Sequence, residues 1–199
     1  MTPGADAEGN LLSLIEEGVS ASADSLAAVS HTKWETQTLS IRADETGNAE
    51  NVHARLAGDP SEHYGAVVTM PGAVFLLMLP KKDGAGLAEA FLSGRKRRPG
   101  AALPRESVCV AEIANIVINA IANTLANACD DSVVLSAPAM ILGKKETLLK
   151  LAMDELKATG ETFAIMTYVS MSSSTLSSDC TVLLLLSPAC RGRILKACV

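Results

Sequence analysis

Aromatic side chains are scarce in this chain of 199 residues, where one Trp, two Tyr and three Phe make up 3%. Apolar residues nevertheless reach 48%, so the core must be built from Ala, Leu, Val and Ile. Few aromatics together with a net charge of −5 argue against nucleic-acid binding as the main task. Long apolar runs are missing as well. Ala73 to Leu79 and Val182 to Leu186 are far too short to span a bilayer, which argues against membrane insertion. Such runs fit strands buried on both faces, or strands at a subunit interface such as that of a homodimer. Met1 to Asn10 lack the basic region and apolar core of a signal peptide, and the expected compartment is the cytoplasm.

Cysteine and histidine are present without pattern. Cys109, Cys129, Cys180, Cys190 and Cys198 are odd in number and show no C-x-x-C spacing, which suggests neither a disulfide framework nor a zinc site. His31, His53 and His63 do not pair at helical metal-ligand spacing, so no metal site is expected. The phosphate-binding G-x-x-x-x-G-K-[ST], dinucleotide G-x-G-x-x-G and nucleophile-elbow G-x-S-x-G patterns are all missing.

What is present is a repeated order of elements. The pattern predicts a helix from Asn10 to about Val29 and a strand near Trp34 to Arg42. A polar, turn-rich stretch from Asp44 to Pro60 follows, with room for a short strand at Val52 to Leu56. Tyr64 to Met70 and Ala73 to Leu79 read as a strand pair around Pro71-Gly72. Pro80 to Gly86 reads as a turn, and Leu87 to Ser93 as a short helix. The second half begins with a long helix, Arg105 to about Cys129, broken by Asp130-Asp131-Ser132. A strand at Val133 to Ser136, a helix at Lys145 to Ala158, strands at Thr162 to Met171 and Thr181 to Leu186, and a helix at Pro188 to Cys198 complete it.

The letters repeat too. Ala23-Asp24-Ser25-Leu26-Ala27-Ala28 matches Ala122-Asn123-Thr124-Leu125-Ala126-Asn127 at a shift of 99, and Val74 to Pro80 matches Val182 to Pro188 at a shift of 108. Their agreement in order indicates an internal duplication. The expectation is a single α+β domain over 1–199, with a pseudo-twofold repeat of long helix plus antiparallel strands and helices covering the sheet on one side. Its halves, about 10–94 and 105–199, would be joined by a basic Pro/Gly-containing linker, 95–104. Within that linker, Arg95-Lys96-Arg97-Arg98 reads as a solvated run or as a contact for an acidic partner surface.

The most informative residues are Glu112 and Asn115. Three positions apart on a helix, they project to one side about one turn apart. The polar positions continue as Asn119, Asn123 and Asn127, and at roughly 100° per residue all five fall in a stripe about 120° wide. Asn is a mediocre helix former, so four of them make an odd wet face. The resulting surface is short, flat and rich in donors and acceptors, suited to docking. Taken alone, the pair also fits an ordinary exposed face, with Glu112 favoured by the helix dipole.

Glu-x-x-Asn (Glu112, Asn115), then twenty-two intervening residues, then Pro138, resembles the signature of the CheC/CheX/FliY phosphatases. Ala111 to Pro138 is similar to the family's site-bearing helix and the strand after it, and Thr162 to Pro188 to its closing strand pair. The fuller family pattern places Asp or Ser four residues before the Glu, where this chain has Val108, with Ser107 adjacent. At the shift of 99, Glu112, Asn115 and Pro138 fall on Ser13, Glu16 and Leu39, so only the second half carries the pair. The resemblance implies a CheC-like fold and, as a bacterial chemotaxis or related two-component protein, hydrolysis of the aspartyl phosphate of a CheY-like response regulator. In that setting Glu112 would pair with a lysine of the regulator, Asn115 would hold the attacking water, and Asn119 and Asn123 would touch the partner. Pro138 would be structural near the site. Mg²⁺ belongs to the partner regulator, and the chain needs no cofactor of its own. The alternative is a non-catalytic CheC-like binding or scaffold protein for a response regulator, a CheD-like receptor deamidase or a flagellar switch component.

Overall fold

The computed structural model describes residues 4–43, 59–92, 104–130, 132–158 and 165–197. In chain order the elements are α1 (Gly4–Ser30), β1 (Glu35–Ala43), β2 (Glu62–Met70), β3 (Ala73–Pro80), a 3-10 turn (Lys81–Asp83), α2 (Gly84–Leu92) and α3 (Arg105–Ala128). They continue as β4 (Ala139–Lys144), α4 (Lys145–Ala158), β5 (Ile165–Ser173), β6 (Ser178–Leu186) and α5 (Pro188–Ala197). The described strands form one antiparallel sheet in the order β1-β5-β6-β3-β2-β4. This is the expected α+β architecture, and each half lends its first strand to the other half's edge.

The central pair carries the symmetry. β3 and β6 pair from Ala73↔Leu186 to Met78↔Thr181, so the midpoint lies between Phe75↔Leu184 and Leu76↔Leu183. The shift of 108 carries Phe75 to Leu183 and Leu76 to Leu184, exchanging those two pairs. The shift of 99 finds its own mark in the backbone. His31 (φ 55°) and Asp130 (φ 49°), 99 apart, are both left-handed residues just beyond a long helix. Each ends its helix by turning the chain in a conformation that non-glycine residues adopt rarely.

The central strands are buried on both faces, as their unbroken apolar runs require. Phe75, Leu77, Leu79, Val182, Leu184 and Leu186 face the core shared with α1, α2, α3 and α5. Val74, Leu76, Met78, Leu183 and Leu185 face Leu148, Leu149, Ala152 and Leu156 of α4. Helices therefore cover both sides of the sheet, which corrects the one-sided expectation. The fourteen residues of α4 carry an apolar stripe only four buried residues long, enough to cap the second face.

The strand expected at Val133 to Ser136 is also corrected. Residues 132–138 are irregular, and the strand begins after Pro138. The segment is held by two bonds to β2, with the Ser136 amide donating to the Thr69 carbonyl (2.9 Å) and the Thr69 amide to Ser136 Oγ (2.9 Å). Its apolar letters come from Val133 and Leu135, which pack on the core, while Val134 points outward and is 81% exposed. The remaining boundaries moved by a few residues. α1 begins at Gly4, and α2 at Gly84, within the stretch read as a turn. The Val52 to Leu56 strand and the Arg95 to Arg98 linker lie outside the described residues.

A polar clip ties α4 to β2. Lys145 Nζ lies 2.9 Å from Asp59 Oδ2, and His63 Nε2 lies 3.6 Å from the same oxygen. Hydrogen bonds from Ser61 and then the Lys145 ammonium hold the Asp59 carboxyl well below the usual carboxylate range. Burial lowers the basicity of His63, whose Nδ1 lies 3.1 Å from the Ser61 carbonyl and so carries the proton of the neutral ring.

Candidate functional site

The candidate residues lie in the first half of α3. The helix starts after Pro104, whose carbonyl accepts from the Val108 amide at 3.1 Å. Arg105 fixes that start, donating from Nη2 to the Leu92 carbonyl (3.0 Å) at the end of α2 and lying 3.4 Å from Glu89. The sequence marked Arg105 only as a helix boundary. Its isolated cationic side chain beside a helix start was the available signal of this anchoring.

Burial then aims the polar stripe outward. Cys109, Val110, Ile113, Ala114, Val117, Ile118, Ile121, Ala122 and Leu125 are buried against the sheet and α1. Their opposite side carries Glu112, Asn115, Asn119, Asn123 and Asn127, and all five are exposed. By length and composition α3 is apolar enough to cross a bilayer, but half of its apolar stretch is buried inside the fold as core. α1 fixes the rotation of α3 at Gly18, where a Cβ would stand 2.7 Å from the Ile121 Cα and 3.2 Å from Thr124 Oγ1. Only a residue without a side chain lets the two backbones approach this closely.

Glu112 and Asn115 are thus exposed neighbours about one turn apart. Among the described residues the Asn115 carboxamide has no hydrogen-bond partner, while its backbone carbonyl accepts from Asn119 Nδ2 at 2.6 Å. Asn119 therefore lies back along the helix, leaving Asn115 the more projecting of the two amides. Ser107 is buried and Val108 packs partly on the core, so neither adds a hydroxyl or carboxylate beside Glu112. Cys109 supplies no thiolate either, because burial pushes its thiol up to about 12, with the Glu112 carboxylate adding to the shift. Pro138 is half-buried at the start of β4 and precedes that strand, where the sequence placed it after one. Among the described residues no three His, Cys, Asp or Glu side chains converge as a metal site.

No protein-family model matches the chain, and no curated protein does. Solved structures do. FliY of Thermotoga maritima is similar over 99% of this chain and 98% of its own, with a TM-score of 0.64 and 13% identity. The FliM middle domain of H. pylori covers 98% and 99%, with a TM-score of 0.61 and 13% identity. The chemotaxis protein CheX of Desulfovibrio desulfuricans covers 88% and 99%, with a TM-score of 0.52 and 10% identity. The chain has the CheC/CheX/FliY-type fold. Identities this low carry the fold alone, and the chemistry rests on the residues just described.

Proposed function

We propose that this chain is a cytoplasmic phosphatase for the aspartyl phosphate of a CheY-like response regulator, acting through Glu112 and Asn115. The observation that carries the reading is the paired exposure of these two side chains one turn apart on a helix whose other side is locked into the core. Phosphoryl transfer demands positioning and charge stabilisation more than covalent help. The regulator holds its own Mg²⁺, and what its phosphoaspartate lacks is a water in line behind phosphorus. The Asn115 oxygen accepts from that water, and its NH₂ donates to a phosphoryl oxygen. The water oxygen bonds to phosphorus as the bond to the regulator's aspartate breaks, releasing inorganic phosphate and restoring the carboxylate. A neutral amide does this without repelling the phosphoryl charge. Glu112 pairs with a lysine of the regulator and holds the helix in register, with Asn119 and Asn123 extending the contact and Pro138 setting the path of the chain into β4.

A second reading has its own support. Val108 stands where the family pattern has Asp or Ser, and the FliM middle domain is as similar in fold as FliY. Solved complexes of H. pylori FliM with FliG and with SpeE are further examples of this fold bound to partners. On this reading the chain binds a regulator, a CheD-like deamidase or a switch component without turnover. The lifetime of a phosphorylated CheY-like regulator decides between the two. A lifetime shortened by substoichiometric protein supports the phosphatase, and binding with an unchanged lifetime supports the scaffold.

A further inference from the structure

A cavity of about 520 Å³ opens at the far end of α3, some ten residues along the helix from Asn115. Its floor is apolar, made by Met70, Leu125, Ala126, Val133 and Ile194. Its lining also includes Arg193 and Lys196 on α5, with Asp130 the opposing charge among the described residues.

The walls are fixed by hydrogen bonds. The β2–β3 turn is clamped to α5, with the Ser187 amide donating to the Gly72 carbonyl (2.9 Å) and the Cys190 amide to Ser187 Oγ (3.2 Å). Gly72, at φ +77°, permits that approach, since a Cβ there would stand 2.9 Å from Cys190 Cβ. Arg193 Nη2 reaches the Pro71 carbonyl at 3.5 Å, and the 132–136 segment is held by the Thr69–Ser136 pair. A volume of this size between hydrogen-bonded walls is that of a preformed small-molecule site.

The duplication shows what such a volume takes. At the shift of 99, Val133 stands where the first half has Trp34. That indole is buried, donates to Ser30 Oγ at 3.0 Å and meets Phe91 edge-on at 6.4 Å. At the shift of 108, the lining cations Arg193 and Lys196 stand where the first half has Ala85 and the buried Ala88. The second half thus has no ring where the first has Trp34, and has two cationic residues where the first has alanines. We propose that this cavity binds a small aromatic carboxylate, with its ring over Leu125, Val133 and Ile194 and its carboxylate at Lys196. The Lys196 ammonium selects for an anion, and the apolar lining gives it area.

Three probes share one ring and differ in charge: indole-3-acetate, the neutral indole-3-ethanol and the cationic tryptamine. Calorimetric titration into the full chain should give indole-3-acetate a Kd on the order of 0.1–1 mM, as expected for a ligand of this size. The alcohol should bind about five-fold more weakly and the amine more weakly still. Val133→Trp, which restores the ring of the other half, should abolish binding. Lys196→Glu, an exposed change that leaves the core untouched, should weaken the acid about ten-fold, and Asp130→Asn should tighten it. Equal binding of all three probes, full affinity in Lys196→Glu, or no saturable binding of the acid would overturn the proposal.

Discussion

α1 and α3 pack on the same face of the sheet, and both carry exposed outward positions. At the shift of 99, Ser13 and Glu16 on α1 stand where α3 carries Glu112 and Asn115, and all four side chains are open to solvent. The first half therefore lacks the pair by chemistry, not by burial. Inside, the halves agree along the long helices and the central strands. Leu26 and Leu125 are both buried, and the β3 and β6 runs exchange across the centre of the sheet. Packing penalises drift at interior positions, because each buried Leu or Ile contributes roughly 1.5–3 kcal/mol, while exposed positions diverge at little cost. The likeness of the two halves thus lies in the core, and their difference lies on the outward surfaces.

That comparison can be broken at the contact between the two helices. Gly18→Leu should destabilise the whole fold by about 3 kcal/mol, since the new side chain would meet the Ile121 backbone and force α1 and α3 apart. A urea midpoint equal to that of the wild type would show that the two helices do not pack here. Next in size is Glu112→Ala. It should lower both regulator affinity and turnover by about ten-fold, the scale of one lost charge-assisted contact. Loss of turnover with affinity intact would remove Glu112 from docking.

The polar clip sharpens the contrast from the other face, where α4 belongs to the second half. His63 is buried and its pKa is lowered, so the unfolded chain takes up a proton near the ordinary value of 6.5 before the folded chain does. Stability should therefore fall as pH drops from 7 to 5. His63→Gln should flatten that slope in urea titrations at the two pH values, and an unchanged slope would place its source elsewhere. The Asp59 carboxyl, held low by Ser61 and Lys145, adds a second loss only below about pH 4, where the unfolded carboxylate protonates. The smallest expected effect is none at all. Glu16→Ala with Glu17→Ala should leave turnover of the regulator intact, and a measurable loss would mean that α1 shares the site.

Much of this was legible in the sequence because burial writes periodic letters. The α3 stripe, the two-face burial of β3 and β6 and the α4 boundaries all follow from apolar spacing. The segment at 133–138 misled because Val133 and Leu135 turn inward from an irregular chain clipped by Ser136, and no letter distinguishes clipping from pairing. The second covered face was hidden for a related reason. Unbroken apolar runs require cover on both sides but do not say which helix supplies it. Glu112 and Asn115 were visible as a pair, yet the close approach of α1 and α3 at Gly18 was not, because one sequence presents Gly18 as any other glycine. The Trp34–Val133 difference was present in the letters all along and gained meaning only when a cavity appeared beside it.

The most direct test compares the decay of a phosphorylated CheY-like regulator with wild-type protein and with Asn115→Ala at equal, substoichiometric concentration. Loss of the water-positioning amide should remove about 10²-fold or more of the acceleration. The urea midpoint should stay within about 0.5 kcal/mol of the wild type, since the position is exposed. Asn115→Asp should be nearly as inactive, keeping the shape and adding a charge that repels the phosphoryl group. An Asn115→Ala protein that dephosphorylates as fast as the wild type would contradict the assignment of the site to the outward face of α3.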